Sequence, residues 1–170
     1  MSSAWDEYIC RIEWIKREVN AKDADMEASV FGAYPDVLYT YGLGPCLAVA
    51  LYDSKKRQGA LAHVALTSIS RFMEIELSEE QLAHTGERVV DTLVGKLVNN
   101  GSEIREIEAR IVGEIGPYDR THSPKIKRGL EKWNIPLVGE RIGGEAKSII
   151  MYLDNGEIEV FELGKKPYFI

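Results

Sequence analysis

Cysteine is scarce in this chain, and long apolar runs and an excess of positive charge are missing from it. Its 170 residues include two cysteines, Cys10 and Cys46, too few for a disulfide framework. No apolar run approaches about 18 residues and the N-terminus lacks a signal-peptide pattern, so we expect a cytoplasmic protein that is not embedded in a membrane. A net charge of −6 argues against nucleic acid as the main partner, because binding to it needs a positive surface.

Sequence motifs for nucleotides and metals are missing as well. The chain contains no P-loop and no glycine-rich dinucleotide motif after a strand-like run. His84, predicted on the polar side of a helix, and His122 lack metal-ligand spacing to either cysteine, so we predict no metal site and no cofactor. The length and the hydrophobic fraction of 45% fit one ordinary globular domain with a real core.

Apolar periodicity predicts three helices. Residues 5–20 carry apolar side chains at helical spacing, and Cys10 lies beside that stripe, where we expect a half-buried packing residue. Ser78 and Gln81 form a capping box that opens a long predicted helix. The Ser123–Pro124 pair is typical of an N-cap and first helical residue, and predicts a shorter helix.

The strand signals complete a mixed pattern. Residues 46–53 and 60–66 are almost wholly apolar, and predict two buried strands of a hairpin joined by the charged loop 54–59. Residues 154–156 (Asp-Asn-Gly) predict a second hairpin. We therefore predict a single-domain α/β (α+β) layered sandwich, with helices packed on a largely antiparallel or mixed sheet.

One stretch gathers the residues suited to chemistry. Cys46 stands at the mouth of a buried strand, where Gly42 and Gly44 allow a sharp bend that can point backbone N–H groups at an oxyanion. His63 lies across the predicted hairpin and is the candidate base that a cysteine nucleophile needs. The alternatives are a cysteine that fills space and a hydrogen-bonded core histidine, because the strand register that decides their common face is open.

The sequence of this stretch, PDVLYTYGLGPCLAVALYD followed by GALAH, resembles the signature of the CheD family, the chemotaxis receptor glutamine deamidases. In that family a threonine, a cysteine six residues later and a histidine seventeen residues after the cysteine form the catalytic set. Here those positions are Thr40, Cys46 and His63. The segment NIPLVGERIGGEAKSIIMYLDNGEIEV also resembles the family's closing strands. On this resemblance, residues 1–27 are an N-terminal helix and connector, and residues 28–170 are a CheD-like deamidase domain.

The resemblance implies a hydrolase, a protein-glutamine glutaminase that acts on a chemoreceptor-like protein substrate. It implies Cys46 as nucleophile, His63 as general base and acid, Thr40 as the residue that orients His63, and backbone N–H groups at Gly44 and Cys46 as the oxyanion site. A CheC-type phosphatase is a further implied partner. One alternative is a CheD-like protein that binds such a partner without catalysis, and another is a Cys–His hydrolase of small amides.

The chain departs from the family pattern in three places. Pro45 replaces a small serine-like residue and removes one N–H from the loop. The glycine-rich segment after the middle strand is reduced to IVGEIGPYDR. The Gly-Gly turn continues with residues 145–147 (Glu-Ala-Lys) rather than Asn and Arg. These departures leave the chemistry plausible and bear on the substrate.

Overall fold

A computed structural model of the chain describes residues 3–65, 78–86, 88–115 and 122–170. The helices in these residues are α1 (Ala4–Glu18), α2 (Glu79–Leu82), α3 (Arg88–Asn99) and α4 (His122–Lys132), with a 3-10 turn at Ile104–Glu106. The strands are β1 (Ala21–Asp23), β2 (Ser29–Ala33), β3 (Val37–Leu43), β4 (Leu47–Asp53), β5 (Gln58–Val64), β6 (Ile107–Gly113), β7 (Leu137–Ile142), β8 (Lys147–Tyr152), β9 (Ile158–Glu162) and β10 (Tyr168–Phe169).

The strands of the described residues form two five-stranded sheets. The first sheet has the order β1-β3-β8-β9-β10, and the second has the order β2-β5-β4-β6-β7. Most neighbours are antiparallel, whereas β1–β3 and β6–β7 are parallel pairs. The α+β single-domain prediction is confirmed, as are the hairpins β4–β5 and β8–β9. The division of the strands into two sheets is an addition that the sequence pattern did not reveal.

The two sheets pack face to face between layers of helix. Side chains alternate along β4, so one set packs with α3 and α4, and the other set packs with the first sheet. The first set is Leu47, Val49 and Leu51, and the second is Ala48, Ala50 and Tyr52. Coverage on both faces explains why β4 is buried along its whole length and is apolar up to Asp53 at its end, as predicted for residues 46–53.

Helix α1 covers the outer face of the first sheet. Tyr8, Ile12 and Ile15 are buried there against residues of β3, β8 and β9. The prediction of a half-buried Cys10 is wrong, because its side chain is exposed. Cys10 follows Tyr8 by two residues, which corresponds to a rotation of about 200° around the helix. Its side chain therefore points away from the sheet that Tyr8 contacts.

The long helix predicted from Ser78 is interrupted. The capping box of Ser78 and Gln81 is present, but α2 ends after one turn. Thr85 Oγ1 donates to the Leu82 carbonyl at 2.8 Å, and Gly86 takes a left-handed conformation with φ of 50°. These two features stop the first helix. The second helix, α3, then buries an apolar face made of Val89, Val90, Leu93, Val94 and Leu97.

The predicted N-cap at Ser123 is also wrong, because α4 already includes His122. The side chain of Glu114, just after β6, caps this end of α4 instead. Its Oε1 accepts hydrogen bonds from the His122 and Ser123 backbone N–H groups at 2.6 and 3.2 Å. A carboxylate suits this end of a helix because the helix dipole is positive there.

None of the helices in the described residues has both the length and the apolar character that a membrane span requires.

Candidate functional site

The chain crosses from the first sheet to the second between β3 and β4, and this crossing carries Cys46. Gly42 has φ of 72°, and the Gly44 N–H donates to the Gly42 carbonyl at 2.9 Å. The Gly44 carbonyl accepts from Ile115 N–H at 3.0 Å, and the Cys46 carbonyl accepts from Glu114 N–H at 2.9 Å. The crossing is therefore fixed to the end of β6.

The strand register places Cys46 and His63 on the same face. His63 pairs directly with Ala48 in the β4–β5 ladder. Directly paired residues share a face, and Cys46 precedes Ala48 by two residues, which is one full period of side-chain alternation. The side chains of Cys46, Ala48 and His63 therefore all point toward the first sheet. Cys46 is 7% exposed and His63 is 3% exposed. The parity that the sequence left open is thus the one that a Cys–His pair requires.

Thr40 approaches His63 from the opposite sheet. Its Oγ1 lies 2.8 Å from His63 Nδ1 and donates its single hydrogen to the Ala24 carbonyl at 2.7 Å. Since that hydrogen is used, the hydroxyl must accept from Nδ1–H. The hydrogen-bond network therefore assigns the Nδ1–H tautomer to His63. Its Nε2, a buried atom without a hydrogen-bond partner in the described residues, carries the lone pair.

Burial makes the neutral forms of both groups the stable ones. It lowers the pKa of His63 to about 4, although the negative charge of Asp25 acts in the opposite direction. Burial also raises the pKa of the Cys46 thiol, and the charge of Glu27 raises it further. At neutral pH Cys46 is accordingly a thiol and His63 is a neutral imidazole. Such a pair reacts by proton transfer during attack rather than from a preformed thiolate.

The remaining histidines have structural partners away from this pair. His84 is buried, contrary to its predicted place on a polar helix face. Both of its ring nitrogens have partners: Ser29 Oγ lies 2.9 Å from Nε2, and the Glu80 carbonyl oxygen lies 2.9 Å from Nδ1. His122 is buried at the start of α4. Among the described residues, no group of three His, Cys, Asp or Glu side chains is arranged to hold a metal ion.

Sequence reasoning missed the acidic segment beside the site, which it assigned to a polar connector. The backbone of residues 24–28, here called the acidic strap, runs along β5. The Glu27 N–H donates to the His63 carbonyl at 2.9 Å, and the His63 N–H donates to the Ala28 carbonyl at 3.1 Å. Three acids in the run DADME, at positions 23, 25 and 27, were the available signal.

Gly113 is a second residue that the sequence did not single out. Its φ is 140°, and a Cβ built there would lie 2.2 Å from the Cys46 carbonyl oxygen. Only backbone movement could relieve that contact. The end of β6 therefore approaches the Cys46 backbone as closely as a glycine permits.

We expect Gly113→Ala to lower the free energy of unfolding by about 3 kcal/mol, because the new Cβ meets backbone rather than a movable side chain. Urea unfolding monitored by circular dichroism measures the change. Gly95→Ala in α3 is the matched control, since no atom lies near its Cβ position and alanine favours helix. Equal unfolding midpoints for Gly113→Ala and the wild type would contradict this expectation.

Comparison with known proteins gives relatives over most of the chain, while no protein-family model matches it. A protein of Clostridium novyi named "Probable chemoreceptor glutamine deamidase CheD" is 26% identical over 161 residues, which cover 88% of this chain and 95% of the relative. Proteins of the same name are 29% identical in Moorella thermoacetica, over 77% of this chain and 84% of the relative, and 24% identical in Clostridium acetobutylicum, over 87% and 92%.

Proposed function

Because the chain belongs to the CheD family, we propose that it is a protein-glutamine deamidase acting on chemoreceptors. The reaction hydrolyses the side-chain amide of glutamine to glutamate and ammonia. In this proposal Cys46 is the nucleophile, His63 is the general base and acid, and Thr40 orients His63. The names of the relatives support the reaction class, and the site geometry supports the assignment of roles.

The observation that carries this proposal is the contact between Thr40 and His63. Because the Thr40 hydroxyl accepts from Nδ1–H, the His63 Nε2 lone pair is held on the other side of the ring. That nitrogen is buried and has no hydrogen-bond partner in the described residues. A buried lone pair on the face shared with Cys46 is suited to take a thiol proton.

The reaction follows from these residue types. His63 Nε2 takes the Cys46 proton while the sulfur attacks the amide carbon of glutamine. The tetrahedral intermediate then collapses, and ammonia leaves with the proton from His63. Water, deprotonated by the same nitrogen, attacks the resulting thioester to give glutamate and restore the Cys46 thiol. Thr40 keeps the ring and its tautomer fixed through both halves of the reaction.

The oxyanion donors are the part of the proposal that the crossing constrains most. The Gly44 N–H already donates to the Gly42 carbonyl, and Pro45 has no N–H. The Cys46 N–H is therefore the first donor that we propose for the oxyanion. Gly44 contributes only if its bond to Gly42 opens when substrate binds.

Mass spectrometry of receptor fragments tests the proposed reaction. Glutamine-containing fragments incubated with the protein should gain the mass of amide-to-acid conversion, and tandem spectra should locate it at particular glutamines. Fragments that stay unchanged in every case would favour the second proposal, a CheD-like protein that binds a CheC-type phosphatase or another partner without catalysis. The raised pKa of the buried Cys46 thiol is the observation behind that second proposal.

Thr40→Val should reduce kcat/KM by about tenfold to hundredfold, because it keeps the shape of the side chain but removes the acceptor of Nδ1–H. Thr40→Ser is the matched control, since it retains the hydroxyl and should keep most of the activity. Initial rates on a responsive receptor fragment measure both. Equal rates in the two variants would show that the hydroxyl does not orient His63.

A further inference from the structure

Glu27, on the acidic strap, has an unusual backbone conformation beside the proposed site. Its φ is 57°, a left-handed value that residues other than glycine rarely adopt. Backbone bonds on both sides hold it there. The Glu27 N–H donates to the His63 carbonyl. The next residue, Ala28, donates its N–H to the Asp25 carbonyl at 2.9 Å and accepts from the His63 N–H with its carbonyl. Strained residues held in this way are enriched at functional sites.

The Glu27 carboxyl group is also incompletely satisfied. Its Oε1 is buried and has no hydrogen-bond partner in the described residues. Burial raises the pKa of this carboxyl group, and its charge acts on the Cys46 thiol, whose pKa it raises. The geometry agrees with this effect, because the Glu27 backbone is bonded to His63 and its side chain carries a buried acceptor oxygen without a partner in the described residues. A charge that opposes thiolate formation suggests a role other than activating the nucleophile.

We propose that Glu27 selects a carboxamide over a carboxylate in the group that reaches Cys46. This inference deepens the proposed deamidase function and rests on it. A glutamine amide offers two N–H donors, one of which the Glu27 oxygen accepts. The glutamate product offers none, and its negative charge is opposed by the charge of Glu27. The same carboxyl group therefore positions the substrate and disfavours the product, without taking part in proton transfer.

Two thiol reagents of matched shape test this selection without a known substrate. Iodoacetamide and iodoacetate alkylate cysteine in the same way, but one carries a carboxamide and the other a carboxylate. Cys10, which is exposed, gives the intrinsic preference within the same protein. In the wild type, Cys46 should favour iodoacetamide over iodoacetate by at least about tenfold more than Cys10 does, as expected for like charges near each other in a partly buried site.

Two variants remove the charge of Glu27 in different ways. Glu27→Gln keeps the side-chain shape, and Glu27→Gly suits the left-handed backbone, so that folding is preserved in at least one of them. Both should bring the preference of Cys46 close to that of Cys10. Glu131→Gln, which changes an exposed acid on α4, is the matched control. It should keep the wild-type preference within about twofold, because α4 packs on the face of the second sheet opposite to Cys46 and water screens this charge.

The outcomes separate this inference from the proposed reaction. An unchanged preference at Cys46 in folded Glu27→Gln and Glu27→Gly would overturn the role of Glu27, whether or not receptor fragments are deamidated. A preference that depends on Glu27, together with receptor fragments that are never deamidated, would instead support the selecting role and refute the proposed reaction on those receptors. Thermal unfolding of each variant establishes that the compared proteins are folded.

Discussion

Replacing Cys46 with alanine should abolish the conversion of glutamine to glutamate in receptor fragments, with a rate reduced by roughly four orders of magnitude or more. Without the sulfur, water would have to attack the amide directly, and no thioester could form. The loss should not reflect unfolding, because Ala48 and Ala50 already fill equivalent positions on the same face of β4. Mass spectrometry of the fragments measures the rate.

Cys10→Ala is the matched control for this experiment. Cys10 is the second thiol of the chain, and it is exposed on α1, where it packs with none of the buried clusters. We expect this variant to keep the wild-type rate. If the Cys46→Ala protein stays folded and deamidates as fast as the wild type, Cys46 is not the nucleophile.

The second large effect is expected for His63→Ala, which should reduce kcat/KM by about 10²- to 10⁴-fold because the proposed general base is lost. The pH dependence gives a sharper test. Burial lowers the pKa of His63 to about 4, so the imidazole of the wild type is a neutral base at every pH above that value. Wild-type kcat/KM should therefore fall only as the pH drops toward 4. In His63→Ala, the rate should instead rise with pH as the Cys46 thiol, whose pKa is raised, ionises without a base.

His84→Gln is the matched control for the second prediction, because His84 is also buried but lies outside the Cys–His pair. It should retain both the rate and the pH profile of the wild type once its folding has been verified by thermal unfolding. An acid limb of the wild-type profile near 6.5, the ordinary pKa of histidine, would contradict the assignment of a buried His63 as the base.

The hairpin that carries the pair could be predicted from its apolar runs, but its register could not. The register depends on the turn, which is shorter than the charged loop 54–59 suggested, because β5 already begins at Gln58. Asp53 Oδ1 accepts from the backbone N–H groups of Lys55 and Lys56, each at 3.0 Å, and Arg57 takes a φ of 53°. These local hydrogen bonds set the register and thus decide which residue of β4 pairs with His63. They cannot be inferred from the amino-acid composition of the turn.

The contact between Thr40 and His63 was predictable only through the family spacing. The two residues lie on strands of different sheets, and side-chain alternation shows which face a residue occupies but not which sheet its strand joins. The same limit applies to Glu114, which caps α4 from the end of β6. Long-range partners of this kind depend on the packing of the whole domain.

The acidic strap shows a different limit. Its acids suggested a solvated connector, because charged residues usually remain in water. Backbone bonds to His63 override that preference and hold Glu27 beside the pair. The division of the chain at residues 27 and 28, placed from the family resemblance, stays a prediction, and it falls within this strap.

Partitioning with hydroxylamine tests the central claim, a thioester at Cys46, most directly. Hydroxylamine competes with water for a thioester. The yield of γ-glutamyl hydroxamate from a receptor fragment should therefore rise with the hydroxylamine concentration, while the yield of glutamate falls by the same amount. Neither product should form with Cys46→Ala. Glutamate as the sole product at every hydroxylamine concentration would contradict a covalent intermediate and the account built on Cys46.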